Sequence, residues 1–138
     1  MIAFVDSSVV LRKLFGEPGA LSEWSQIDEA YASRMLPVEV GRVIDRCRLL
    51  GQIDDAEVAA LHGEARRVLR SMQVLALSES VLRRAAGPMP VTLGTLDAVH
   101  LATALELAPT LDGALVLATH DEQLARAARA SGLDVCGA

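Results

Sequence analysis

The sequence predicts an α/β fold in which a short central, mostly parallel sheet of four to five strands is flanked by helices. Short apolar runs alternate along the chain with segments whose apolar residues have helical spacing, and this alternation is typical of parallel sheets. The run ALVLA at residues 114–118 is apolar throughout, as expected for a strand that is covered on both faces. The length of 138 residues predicts a single domain that spans residues 1–138.

The N-terminal part of the chain predicts two strands and two helices. Residues 2–5 are the first strand, and the segment Asp-Ser-Ser that follows consists of residues that cap helices well. A short helix comes next and closes near Gly16. A second helix, which carries Trp24, is predicted over residues 20–29, and a short strand over residues 30–33.

Two longer helices are predicted in the middle of the chain. Pro37 suits a first helical turn, because the N–H that it lacks would have no partner there, and this helix runs to Gly51. Asp54 opens another helix, whose apolar residues recur at helical spacing. Residues 74–77 form the next strand, and Ser78 caps a helix that ends at the Gly-Pro pair after it.

The C-terminal part continues the alternation of helices and strands. Thr95 is predicted to cap a helix, and the apolar strand 114–118 follows it. Thr119 is predicted to cap a further helix that ends near Gly132. Residues 134–136 complete the sheet as an edge strand.

Composition and charge exclude several classes of protein. Hydrophobic residues make up 51% of the chain and charged residues 22%, which excludes a disordered chain. No stretch approaches the about 20 apolar residues of a membrane span, and the start MIAFVD lacks the basic region of a signal peptide. The two isolated cysteines have neither metal-ligand spacing nor a disulfide pattern, so we expect a cytoplasmic protein. A net charge of −5 is unlike that of a generic nucleic-acid binder, so any contact with nucleic acid must be local or mediated by metal.

Four acidic residues lie where the predicted elements begin or end. Asp6 follows the first strand and Asp121 lies just beyond strand 114–118, while Glu39 and Asp97 lie in the first turns of predicted helices. Ligands of open parallel sheets bind at the carboxyl ends of the strands. If the four carboxylates converge, they cannot all stay ionised without a cation, and an all-oxygen ligand set selects Mg²⁺ or Mn²⁺. Such a site commonly performs phosphoryl chemistry.

Each of these acids also has a purely structural interpretation. Asp6 could cap the first helix, and Asp97 and Asp121 could be stabilised by the dipole of a helix N-terminus. The segment THDE at residues 119–122 fits a capping box, and Glu39 could be an ordinary first-turn charge. Spacing alone leaves both interpretations open.

Four segments of the chain carry a family resemblance. From the N-terminus they read FVDSSVVLRKL, LPVEVGR, LDAVHLATAL and ATHDEQLARAARASGL. Each contains one of the four acids, and the acids are separated by 33, 58 and 24 positions. In this order the segments resemble the PIN-domain ribonucleases, and more narrowly the VapC-type toxins of bacterial toxin–antitoxin pairs.

The resemblance implies a PIN-like fold and an endoribonuclease, dependent on Mg²⁺ or Mn²⁺, that hydrolyses RNA phosphodiester bonds. The residues that match the family's metal-binding and catalytic acids are Asp6, Glu39, Asp97 and Asp121. Ser7 and Thr119 match polar residues that support the site. The resemblance also implies a homodimer, an RNA substrate and a cognate VapB-like antitoxin that neutralises the toxin. The alternative is a catalytically silent PIN-fold module that only binds other proteins.

Five further residues have interpretations that the sequence leaves open. Arg42 and Arg46 lie one helical turn apart and could hold RNA phosphates at the rim of the site or belong to a solvated helix face. His100 is expected to be a buried, hydrogen-bonded residue rather than a metal ligand. His120 could support the site or simply be exposed, and Trp24 is expected to contact the core or a partner.

Overall fold

The sheet has five strands, all parallel, with the first strand in the middle. The computed structural model describes residues 1–138. The strands are β1 (Ile2–Val5), β2 (Glu29–Ser33), β3 (Gln73–Leu75), β4 (Leu115–Ala118) and β5 (Asp134–Cys136). Their spatial order is β3-β2-β1-β4-β5, so β1 pairs with β2 on one side and with β4 on the other. The predicted α/β class with a parallel sheet is confirmed.

Six α-helices connect these strands. They are α1 (Ser7–Leu14), α2 (Leu36–Leu49), α3 (Asp55–Arg70), α4 (Glu79–Ala86), α5 (Thr95–Leu107) and α6 (Glu122–Ala130). Two short 3-10 helices are also present, at Ser22–Gln26 and Ala108–Thr110. None of the helices combines the length and the apolar character that crossing a membrane requires.

Side-chain caps explain where several helices begin. At the start of α3, the Asp54 carboxylate accepts a hydrogen bond from the Glu57 N–H, and the Glu57 carboxylate accepts one from the Asp54 N–H. Ser78 caps α4 as predicted, because its hydroxyl accepts from the Val81 N–H. The predicted cap of α5 is wrong by one residue: Gly94 occupies the capping position and Thr95 is already helical.

The helix predicted over residues 20–29 is also wrong. Only the five residues Ser22–Gln26 form a helical turn, and it is of the 3-10 type. No side chain caps this turn, because the capping position is occupied by Leu21, whose side chain cannot accept a hydrogen bond. Ile27 is already extended, and β2 begins two residues later, which leaves no room for a longer helix.

The core has two main layers, one on each face of the sheet. In β1, Ala3 and Val5 face the layer formed with α1, α2 and α3, whereas Phe4 faces the layer formed with α5 and α6. Helix α5 is buried over seven consecutive residues, 98–104, and small alanines allow the elements around it to approach closely. This burial brings the N-terminal turn of α5 beside the carboxyl ends of the strands.

Candidate active site

Asp6 is held in one orientation at the carboxyl end of β1. It caps α1 and is only 3% exposed. Its Oδ2 atom accepts hydrogen bonds from the Ser8 N–H (3.2 Å), the Ser8 hydroxyl (2.6 Å) and the Thr119 hydroxyl (3.0 Å). Three donors on one oxygen leave the second oxygen, Oδ1, without a hydrogen bond. The capping role and the site role of Asp6 are therefore compatible, because each uses a different oxygen.

Thr119 joins the end of β4 to Asp6. The adjacent strands β1 and β4 end side by side, and the Asp6 N–H donates to the Ala118 carbonyl at 3.0 Å. The buried Thr119 hydroxyl donates to Asp6 and accepts from the Asp121 N–H at 3.0 Å. The Thr119 hydroxyl thus fixes both the Asp6 carboxylate and the backbone of Asp121.

The prediction that Thr119 caps the helix after β4 is wrong, and residues 119–122 form no capping box. Asp121, not Thr119, caps α6, and its Oδ1 atom accepts from the Leu124 N–H at 2.7 Å. Thr119 lies too early in the chain to cap the helix and faces the site instead. The Oδ2 atom of Asp121 makes no hydrogen bond with the protein.

Glu39 is tied down through both of its carboxylate oxygens. Ser7 donates to Oε1 at 3.3 Å, and Nε2 of His100 donates to Oε2 at 2.5 Å. His100 is completely buried on α5, as predicted, and its Nε2 atom also lies 3.9 Å from Oδ1 of Asp6. The ring therefore lies between an acid from the start of α1 and an acid from α2.

Asp97 lies in the first turn of α5, and the other acids shift the pKa of its carboxyl group. Burial raises the pKa of the Asp97 carboxyl above its usual value, and the negative charges of Asp121, Asp6 and Glu39 raise it further. His100 acts in the opposite direction and lowers the pKa of Asp97. All four acids predicted from the sequence thus share one electrostatic environment at one edge of the sheet.

His100 partly balances this negative charge. Burial on its own lowers the pKa of the imidazole, but the hydrogen bond and charge of Glu39, with smaller contributions from Asp6 and Asp97, raise it above its usual value overall. A positively charged ring is therefore favoured between the acids.

The oxygens that remain free in this cluster suit a hard divalent cation. Oδ1 of Asp6, Oδ2 of Asp121 and both carboxylate oxygens of Asp97 accept no hydrogen bond from the protein. As the side chains stand, no group of three or more His, Cys, Asp or Glu residues is arranged to hold a metal ion. The donor set itself is all-oxygen and anionic, which is the chemistry that Mg²⁺ and Mn²⁺ prefer.

A groove leads away from the acids between α1 and α2. It encloses about 230 Å³ and is lined by Ser7 and Glu39 at the site and by Arg42 and Arg46 farther along. Arg42 forms an ion pair with Asp45 at 3.0 Å, whereas Arg46 is exposed and has no ion-pair partner. The groove that Glu39 lines therefore also offers one free cationic side chain, two helical turns away.

Ser8 is the residue of this site that the sequence analysis did not single out. Ser7 was expected to support the site and does contact Glu39, but Ser8 makes the closer contacts, to Asp6 and to the His120 N–H at 2.9 Å. A serine two residues after an acidic cap is well placed to bond back to that carboxylate, and this local pattern is visible in the sequence. The ring of His120 points elsewhere, since its Nδ1 atom bonds to the Gly137 carbonyl at 2.8 Å.

Comparison with known proteins supplies the family context for this geometry. The family model described as PIN domain matches residues 3–130. Two curated relatives are Ribonuclease VapC46 of Mycobacterium tuberculosis strain ATCC 25618 / H37Rv and Ribonuclease VapC47 of strain CDC 1551 / Oshkosh. VapC46 is 33% identical, and the match covers 96% of this chain and 94% of the relative. VapC47 is 30% identical, and the match covers 94% of this chain and 91% of the relative.

A solved structure shares the fold. A toxin–antitoxin complex from Klebsiella pneumoniae contains a chain that is similar with a TM-score of 0.63 at 19% identity, covering 89% of this chain and 90% of that one.

Proposed function

The chain belongs to the PIN-domain family, and from that premise we propose that it is an endoribonuclease that hydrolyses RNA phosphodiester bonds and acts as the toxin of a toxin–antitoxin pair. The observation that carries this proposal is the acidic cluster of Asp6, Glu39, Asp97 and Asp121 in a chain whose curated relatives are named ribonucleases. The family match alone would not distinguish an active enzyme from an inactive one. The presence of all four acids in one place favours the active enzyme.

The residues proposed to hold a divalent cation are Asp6, Asp97 and Asp121, with Glu39 assisting. The free oxygens of Asp6, Asp97 and Asp121 are anionic carboxylate oxygens, the ligand type that Mg²⁺ and Mn²⁺ prefer. Such an ion, when bound, polarises a phosphate and makes a water molecule more acidic. The positive charge would also reverse the repulsion that four carboxylates exert on an anionic substrate.

The protein's own contribution is to fix the positions of the acids before substrate binds. Ser8 and Thr119 hold Asp6 through one oxygen and leave the other directed away from these donors. Because Glu39 is held at both oxygens, it can accept a proton from a nearby water without first reorienting. Preorganisation of this kind removes part of the cost of ordering the site during the reaction.

We propose that RNA enters along the groove between α1 and α2. The Arg46 guanidinium has no internal partner and is free to bind a phosphate, whereas Arg42 would first have to leave Asp45. The net charge of −5 means that affinity for RNA depends on such local contacts rather than on the whole surface.

The proposed partner is a VapB-like antitoxin, and the proposed assembly is a homodimer. The support for the antitoxin is the shared fold with a chain of a toxin–antitoxin complex, together with the similarity to VapC ribonucleases. An acidic cleft would attract a basic side chain of the antitoxin, which could compete with a cation for the same oxygens. The two free cysteines are compatible with the reducing cytoplasm that we propose as the compartment.

The experiment that tests the proposal combines RNA cleavage with cation binding. Purified protein is incubated with a mixed RNA pool and Mg²⁺ or Mn²⁺, and Mn²⁺ binding to the metal-free protein is measured by titration calorimetry. The proposal predicts internal cleavage of RNA and binding of Mn²⁺ that Asp6→Asn weakens. Absence of both, with the protein folded, would favour the catalytically silent interaction module instead.

A further inference from the structure

We propose that His100 is a positioning residue that fixes the orientation of the Glu39 carboxylate at the catalytic site, an inference that rests on the proposed ribonuclease function. His100 itself would touch neither RNA nor cation. It acts through Glu39, to which its Nε2 atom donates a hydrogen bond of 2.5 Å.

Glu39 differs from the other three acids in how it is held. Both of its oxygens are hydrogen-bonded to side chains, one to Ser7 and one to His100. Asp6 and Asp121 each keep one oxygen free, and Asp97 keeps two. The protein therefore restricts Glu39 more than the acids that have free oxygens for a cation, and His100 supplies the shorter of the two contacts.

The position of His100 is an unfavourable one for a residue that serves only to pack. The ring is completely buried on α5 next to the buried residues Val99 and Leu101, and its Nδ1 atom has no hydrogen-bond partner. A buried polar atom without a partner lowers stability, so an apolar side chain would fill this place with less penalty. The compensating interaction is the one with Glu39.

The ring also links two separate parts of the site. Its Nε2 atom bonds to Glu39 and lies 3.9 Å from Oδ1 of Asp6, so the ring occupies the space between the carboxylates from the starts of α1 and α2. Loss of the ring would leave Oε2 of Glu39 without its hydrogen-bond donor.

Three variants separate positioning from packing. In His100→Gln the amide nitrogen is four bonds from Cα, as Nε2 of histidine is, so a donor to Glu39 is retained. His100→Leu removes the donor and keeps an apolar side chain. Thr103→Val is the matched control, because Thr103 is buried one turn along on α5 and its hydroxyl bonds only to the Val99 carbonyl.

We expect His100→Leu to reduce kcat by about 10- to 100-fold with KM for RNA unchanged, which is the usual effect of removing a hydrogen-bond partner of a metal-binding group. His100→Gln should recover most of that loss, and Thr103→Val should cleave as the wild type does. In the metal-free protein, the hydrogen-bonded Nε2–H should give a low-field proton resonance by NMR. That resonance should be present in Thr103→Val and lost in His100→Leu and Glu39→Ala.

The inference is overturned if His100→Leu keeps the wild-type kcat, or if His100→Gln is as inactive as His100→Leu while folded. It is equally overturned if the low-field resonance persists in Glu39→Ala. If His100→Leu does not fold, the glutamine variant and the resonance decide the question. A wild-type protein that does not cleave RNA would contradict the proposed function, whereas the resonance would still report whether His100 holds Glu39.

Discussion

The Thr119 hydroxyl donates a 3.0 Å hydrogen bond to Asp6 Oδ2, although 113 positions separate the two residues in the sequence. The contact exists because β1 and β4 are neighbours in the sheet and end at the same level. The same hydroxyl accepts from the Asp121 N–H, so it joins two of the proposed cation-binding acids.

Replacement of Thr119 by valine should therefore impair both activity and stability. Valine has the same shape but leaves the partly buried Asp121 N–H without its acceptor and Asp6 Oδ2 without one donor. We expect RNA cleavage to fall about 10- to 100-fold and the free energy of unfolding to fall by about 1–3 kcal/mol, measured by urea denaturation. Thr119→Ser keeps the hydroxyl and should stay close to the wild type. Equal activity of the valine and serine variants would show that the hydroxyl does not position the site.

Asp97→Asn should stabilise the metal-free protein. The pKa of Asp97 is raised in the folded state by burial and by Asp121, Asp6 and Glu39, so at neutral pH its ionised form opposes folding. Because the side chain is only half-buried, solvent screening limits the expected gain to about 0.5 kcal/mol. The measurement is denaturant unfolding in excess chelator.

Asp112→Asn is the control for that stability measurement, because Asp112 is exposed and forms no ion pair. It should leave the free energy of unfolding unchanged. A lower stability of Asp97→Asn than of the wild type in chelator would mean that Asp97 makes a favourable structural contact and does not belong to a repelling cluster.

Arg46→Ala should weaken RNA binding without regard to RNA sequence. Arg46 is exposed, has no internal partner and lines the groove beside Glu39. The loss of one phosphate contact should reduce the slope of log affinity against log salt concentration by about 0.7. Arg66→Ala is the matched control, since Arg66 is equally exposed and unpaired but lies on α3. If both variants lose affinity equally, the groove is not the RNA path.

Asp54→Ala tests whether the capping box stabilises α3, independently of the site. Asp54 and Glu57 form the capping box of α3, and its loss should lower the free energy of unfolding by about 1 kcal/mol. Cleavage of RNA should be unchanged, because α3 carries none of the four acids. An unchanged denaturation midpoint would mean that the capping box contributes nothing to stability, and a loss of cleavage in the folded variant would link α3 to the site.

Local patterns predicted most of the elements. They placed the four acids at the ends of elements, but only the resemblance to the PIN-domain family assigned them to one site. The apolar run that became β4 and the caps Asp54 and Ser78 act through near neighbours in the chain, so the sequence displays them directly. The helix expected around Trp24 failed because β2 begins earlier than predicted and because no side chain caps the turn.

The contacts within the site were harder to predict, because they depend on which strands become neighbours. Nothing local in the sequence indicates that Thr119 meets Asp6, or that His100 on α5 reaches Glu39 on α2. Ser8 is the exception, since its bond to Asp6 spans two residues and follows from the Asp-Ser-Ser segment itself. The Asp-Ser-Ser segment therefore already indicated the contact between Ser8 and Asp6, although we did not predict it.

The central claim is that Asp6, Glu39, Asp97 and Asp121 form one cation-dependent site that cleaves RNA. Its most direct test is the cleavage rate of a single-stranded RNA by the wild type, Asp97→Asn and Asp112→Asn, each with Mg²⁺ and with excess chelator. We predict that the wild type and Asp112→Asn cleave only with the cation, and that Asp97→Asn shows almost no cleavage in either condition. Undiminished cleavage by pure, folded Asp97→Asn, or by the wild type in chelator, would contradict the claim.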